Sequence, residues 1–179
     1  YVQFHWKWLQ LPWLPIALIG TAVAFVVGFK NNATYDRLWE ARRIWGSITN
    51  FSRSWGIMVR DYITNQHTKN PLTNEGLKNI HLELCNRHFA WLTALRFQLR
   101  ENKPWEAINL KHNKEYKNKY FTVEEHNTEL KEVLKLYLSA SEYQHVMNKT
   151  NKAAYILALQ SEQLKRLLEQ GLIEDFRHM

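Results

Sequence analysis

The chain has 179 residues, 45% of them hydrophobic, a mean hydropathy of −0.48 and a formal net charge of +7, an average typical of a soluble domain with its own core. That average conceals a division, because charge is almost absent from Leu9 to Phe29 and abundant from Lys30 onward. The single cysteine, Cys85, excludes an internal disulfide and fits a reducing compartment. The basic excess follows an apolar run and does not trace a nucleic-acid footprint.

The segment Leu11–Phe29 contains no ionisable side chain and comes close to the roughly 20 residues that a helix needs to span the hydrocarbon core. Pro12 and Pro15 stand at its start, where a helix tolerates missing N–H donors, and Trp6, Trp8 and Trp13 form an interfacial aromatic belt. The preceding flank, 1–10, offers only Lys7 and His5, whereas Lys30, Arg37, Arg42, Arg43, Arg53 and Arg60 follow the run. The positive-inside bias therefore predicts a cell-membrane protein with the side after residue 29 in the cytoplasm. A signal peptide would need a basic leader, a shorter apolar core and a small-residue cleavage site, none of which is present. A chain that opens at Tyr1 and stops at Met179 without a domain ending reads as a fragment of a longer, multi-pass prokaryotic inner-membrane protein.

Beyond Phe29, Tyr35, Leu38, Trp39, Arg42 and Trp45 recur at helical spacing, so the spanning helix is predicted over 11–48, continuing into the cytosol. Thr64 to Glu75, with three asparagines and Pro71, reads as a loop. Ile80, Leu84, His88, Trp91, Leu95 and Leu99 make an amphipathic stripe, expected to end near Lys103-Pro104. The Lys- and Asn-rich stretch around 101–121 lacks periodicity and reads as a solvated excursion. Helices are predicted again over Val123–Met147 and Ala153–Leu168, the second closed by Gly171. With no β-type alternation and no internal repeat, the expected fold is all-α: a transmembrane helix continuing into a cytosolic helical region over 49–179.

Chemistry-bearing patterns are sparse. Glu142-x-x-His145 has a di-iron spacing but occurs once, Glu125-His126 is wrongly spaced for a partner, and Cys85-x-x-His88 lacks the second pair of a zinc site. No phosphate loop, nucleophile elbow or zincin signature occurs, so neither catalysis, nor a metal, nor a cofactor is expected. Asn32-Ala-Thr34, Asn50-Phe-Ser52 and Asn148-Lys-Thr150 match the glycosylation pattern on the predicted membrane-proximal or cytoplasmic side and are read as chance. The charged run Asp36, Arg37, Glu40, Arg42 and Arg43 has two readings: charges lining an ion vestibule, or internal pairing such as Glu40 with Arg43 three residues on.

Pro15-x-x-Leu18-x-Gly20, followed by Gly28-Phe-Lys-Asn-Asn-Ala33-x-Tyr35-Asp-Arg37-x-Trp39-Glu-Ala-Arg42-x-x-Trp45-Gly46, closely resembles the second transmembrane segment of prokaryotic bestrophins. Sparser similarity follows at His88-Phe-Ala-Trp91 with Gln98-Leu-Arg100, and from Asn148-x-x-Asn151-Lys152 to Gly171. The resemblance implies a homopentameric ion channel whose hydrophobic neck is formed by Thr21, Phe25 and Phe29, and it suggests a cytosolic aperture at Phe176, after Gly171 and Asp175. Independently, positions i, i+4 and i+8 share one helix face and would stack as three rings about a five-fold axis. Thr21 departs from the family's aliphatic top ring. The small residues Ala17, Gly20, Ala24 and Gly28 would let neighbouring helices approach. From composition alone, Phe25 and Phe29 read as well as lipid-facing, and Phe176 as core. The implied function is passive conduction of chloride or other small ions, with the bilayer, those ions and further copies of itself as partners and no nucleic acid. The alternative is a non-conducting membrane-anchored scaffold whose basic helices bind a partner or anionic lipid.

Overall fold

The computed structural model describes residues 13–66, 68–101, 103, 110–120 and 123–173. The chain divides into two units, Tyr1–Phe51 and Ser52–Met179. Helix α1 occupies Trp13–Tyr62, 50 residues without interruption. It passes the predicted end near residue 48 because Gly46 and Gly56 are isolated glycines, each a cost of about 1 kcal/mol to a helix and not a terminator, and because its last turns have a core to enter. In the first unit none of the described residues is buried, and a Cβ built on Gly20, Gly28 or Gly46 meets nothing within 4 Å.

The second unit is organised around α2, Asn74–Arg100. Thr73 starts it by accepting the Gly76 N–H at 3.1 Å, an N-cap that satisfies one of the helix's orphan donors. Helix α2 runs antiparallel to the 52–62 stretch of α1: His81 bonds the Ile63 carbonyl at 3.0 Å, Leu84 shares a core cluster with Val59, and His88 bonds Ser52 at 2.9 Å. The deepest line on α2 is Leu84, Arg87, Ala90 and Ala94. The predicted stripe shares Leu84 with that line and otherwise borders it, with His88, Trp91 and Leu95 partly buried and Leu99 exposed. Alanine and arginine carry little apolar signal, so the sequence stripe sits to one side of the true contact face.

Two departures from expectation concern local structure. The stretch 123–147 is not one helix but a 3₁₀ turn at Glu124–His126, α4 at Leu130–Leu134 and α5 at Ala140–Met147, with α3 preceding them at Lys111–Tyr120. The break before α5 comes from Ser139, whose side chain caps the Glu142 N–H while Glu142 reaches back to the Ser139 N–H, a capping box that fixes a new helix start. Helix α3 replaces the expected irregular excursion. It contains no Gly or Pro, and Tyr116 and Tyr120, one turn apart, meet with tilted rings whose centroids are 4.9 Å apart. A helix without an apolar stripe is invisible to a test of hydrophobic periodicity.

Helix α6, Lys152–Glu169, begins at Asn151, which caps the Ala154 N–H. It ends as predicted at Gly171, whose φ of 71° lies in the left-handed region open to glycine. Gly171 N–H bonds Leu168 O and Leu172 N–H bonds Leu167 O, each at 3.0 Å, the paired bonds of a Schellman motif. Leu167 and Leu172 close the motif in the core cluster with Val59, Ile63 and Leu84. The loop after α1 is fastened to the same turn by Thr64 N–H to Leu172 O at 2.9 Å and Thr68 Oγ1 to Gln170 O at 2.8 Å.

Between this cluster and a second one built on Ala90, Ala94, Leu134, Val146 and Ile156 lies Arg87, only 3% exposed. Its guanidinium donates to Glu83 at 2.8 Å, to Glu142 and to Gln163, joining α2, α5 and α6. Burial pushes the Glu142 carboxyl up, but the Arg87 hydrogen bond and charge and the Ser139 hydroxyl and N–H outweigh it, holding the group below its ordinary 4.5. A carboxylate depressed in the folded state stabilises the fold above its ordinary value and loses that contribution as pH falls below it. Arg87→Met is therefore expected to lower unfolding stability by about 3–5 kcal/mol, and Glu142→Gln to flatten the acid limb of stability below about pH 4.5, both read by denaturation of the detergent-solubilised protein over pH. Gly171→Ala should cost about 1–2 kcal/mol for a side chain in the left-handed region, with hydrogen exchange accelerating at Thr64 and Leu172.

Candidate functional site

Helix α1 carries a stretch long and apolar enough to cross a membrane. At about 100° per residue, Thr21, Phe25 and Phe29 fall within about 80° of arc on it, and Asn32 lies inside the same arc. These residues, with Ala24 and Gly28, line one shallow concavity along the helix. Phe25 and Phe29 are 62% and 72% exposed, with rings near parallel (23°) and centroids 6.4 Å apart. The Thr21 hydroxyl donates to the Ala17 carbonyl at 2.9 Å, so its proton is already satisfied within the helix and the residue is compatible with an apolar setting. In the sequence Asn32 enters as part of a glycosylation match and of the family motif, and not as a residue on the face of Thr21. Counting three turns on from Thr21 would have found it.

The continuous helix separates the five charged residues beyond the apolar segment. By the same rotation, Asp36, Glu40 and Arg43 fall within about 60° of one another on or beside the Phe25–Phe29 side. Arg37 and Arg42 point well away from it. No ion pair within 4.0 Å is formed by any of the five among the described residues, so the Glu40–Arg43 pairing considered from the sequence is not made. Small residues take the neighbouring strip: Ala17, Gly20, Ala24 and Gly28 lie on one side of the arc, where the backbone is open.

In the second unit, the residues of α1 meet an aromatic cluster on α2. His88, bonded to Ser52 Oγ at 2.9 Å, stacks on Trp55 at 6.1 Å and leans on Trp91 at 5.2 Å. Burial pushes the His88 imidazole below its usual range, keeping it neutral in a setting of rings and a hydroxyl. The indole N–H of Trp55 is buried with no hydrogen-bond partner among the described residues, beside an apolar groove formed with Met58, Tyr62, Leu164, Leu168 and Ile173.

The residues weighed as metal ligands have other employment. Glu142 pairs with Arg87 and Ser139, the His145 ring bonds the Ser141 carbonyl at 2.7 Å, and Glu125 pairs with Arg96 at 2.8 Å. Burial pushes the Cys85 thiol up, away from the thiolate that metals and electrophiles require. Among the described residues no three His, Cys, Asp or Glu side chains gather as a metal site. Phe176, with Asp175 and the flank 1–10, lies outside the described residues.

A family profile described as Bacterial/Fungal Bestrophin protein matches residues 1–179. Over 111 residues, 60% of the chain, the sequence is 38% identical to a voltage-dependent anion channel-forming protein of Ralstonia nicotianae, covering 33% of that protein. It is 33% identical over 67 residues to one of Mesorhizobium japonicum, covering 37% of the chain and 22% of the relative, and 48% identical over 40 residues to one of Escherichia coli, covering 22% and 13%. The chain thus spans a third or less of the length of these curated relatives. No solved structure matches it. With the all-α fold and the spanning helix in place, the match along its whole length makes the chain a member of the bacterial and fungal bestrophin family.

Proposed function

We propose that this chain supplies the pore-lining helix and part of the cytosolic body of an anion channel assembled from identical copies, five in number on the family resemblance. The observation that carries the reading is the alignment of Thr21, Phe25 and Phe29 on one exposed face of a membrane-length helix. Each copy would contribute one residue to each of three rings. The small strip Ala17, Gly20, Ala24 and Gly28 lies beside that face, where neighbouring helices in a ring would press most closely. The names of the relatives support an anion as the permeant species.

In this reading the neck works by wetting. Two aromatic rings exclude water from a narrow passage, and an ion crossing it sheds hydration. The electropositive edges of Phe25 and Phe29 return part of that loss to an anion and repel a cation. Past the neck, Asn32 offers amide donors, and Asp36, Glu40 and Arg43 form a mixed-charge lining. Arg37 and Arg42 act away from the axis, in contacts between helices or with headgroups. The positive-inside bias places this lining on the cytoplasmic side.

Planar-bilayer recording of the purified full-length protein under a salt gradient tests the activity. The reversal potential should move toward the chloride equilibrium value, about 59 mV for a tenfold gradient. A reversal of the opposite sign would assign cations, and a silent bilayer beside active controls would leave a membrane-anchored scaffold. The neck is tested separately. Phe25→Ala with Phe29→Ala widens and wets two rings and should raise single-channel conductance severalfold, whereas unaltered current would remove both residues from the conduction path.

A further inference from the structure

We propose that α3, Lys111–Tyr120, is a membrane-surface segment that docks on the headgroups of anionic phospholipids. Its ten residues hold four lysines, Lys111, Lys114, Lys117 and Lys119, against one carboxylate, Glu115. Positions 111–116, 119 and 120 are exposed. Among the described residues, the buried ones of the second unit come from the other helices and the turns between them, so the core they form includes no residue of α3.

Two features select a lipid surface. The first is amphipathic chemistry. Tyr116 and Tyr120 are 58% and 61% exposed, their rings tilted at 45° with centroids 4.9 Å apart, and the Lys119 ammonium lies 5.3 Å from the Tyr120 ring centroid. A tyrosine pair edged by lysines has an apolar body and a polar tip, the composition that settles at the headgroup level. The second is charge complementarity, since each lysine near an anionic leaflet strengthens association about fivefold.

The inference rests on insertion of α1 in a membrane and not on conduction, so it can fail or succeed independently of the neck. Hydrogen–deuterium exchange of the full chain in nanodiscs tests it. Amides of 111–120 should exchange more slowly in discs of phosphatidylcholine containing phosphatidylglycerol than in phosphatidylcholine alone, and high salt should abolish the difference by screening. The triple variant Lys111→Glu, Lys114→Glu, Lys119→Glu should weaken docking on the order of 100-fold or more, with exchange in 152–169 unchanged as a report of an intact second unit. Equal exchange in the two lipids would overturn the proposal. So would protection that appears only when an RNA oligonucleotide or an acidic peptide is added to phosphatidylcholine discs, because the lysines would then serve a soluble partner.

Discussion

A segment that crosses lipid must satisfy every backbone hydrogen bond from within, because no water is at hand to replace a missing partner. Helix α1 meets that requirement without a break from Trp13, and several side chains follow suit: the hydroxyls of Thr21 and Thr34 both donate to carbonyls one turn back, at 2.9 and 2.8 Å. The self-sufficiency of the backbone frees the side chains to be chosen by surface. One strip is small, one aromatic, the remainder bulky and aliphatic. A helix with this division of faces is unstable as a lone element in water, since its exposed phenylalanines, valines and leucines form a continuous apolar patch.

The second unit solves the opposite problem. It buries a core of its own, and within that core it takes polar groups inside. Arg87 is held by partners on three helices, and its carboxylate partner Glu142 also starts α5. Helix initiation and helix packing thus share one side chain. His88 couples Ser52 on α1 to the aromatic layer of α2, so the last turns of the long helix are gripped by a bond and by stacked rings. Such a grip accounts for the persistence of α1 past two glycines that would otherwise weaken it.

Much of this was legible in the sequence, for identifiable reasons. The charge-free run Leu11–Phe29 and the apolar stripe of α2 announce themselves by length and period, and Gly171 announces the end of α6 by the one backbone conformation that favours it. The shared helix face of Thr21, Phe25 and Phe29 follows from their four-residue spacing, whereas the neck role proposed for them rests on the family resemblance. Arg87 was not legible, because a single arginine among polar helix positions reads as surface until its partners at 142 and 163 are brought to it by the fold. Helix α3 was missed because its helicity serves no core. The split of 123–147 was missed although Ser139-x-x-Glu142 carries a capping signal, since high helix propensity on both sides hid the boundary. Asp36, Arg37, Glu40, Arg42 and Arg43 look alike as a charged run, and only their rotation on an unbroken helix separates them.

The Thr68–Gln170 bond joins residues 102 positions apart, and the neighbouring Thr64–Leu172 pair spans a similar distance. Neither contact can form until the chain has been made as far as residues 170 and 172 respectively. Closing so long a loop carries a heavy entropic penalty that local helix formation does not share. During synthesis the apolar part of α1 emerges first and can enter the bilayer while the partners of its own final turns, Leu167 and Leu172, are still untranslated. Val59 and Ile63 then wait exposed until the ribosome has passed the Schellman turn. Within this stretch, translation therefore delivers the membrane-length segment before the partners that complete the core of the second unit, and in that interval the nascent chain is most in need of a chaperone's protection.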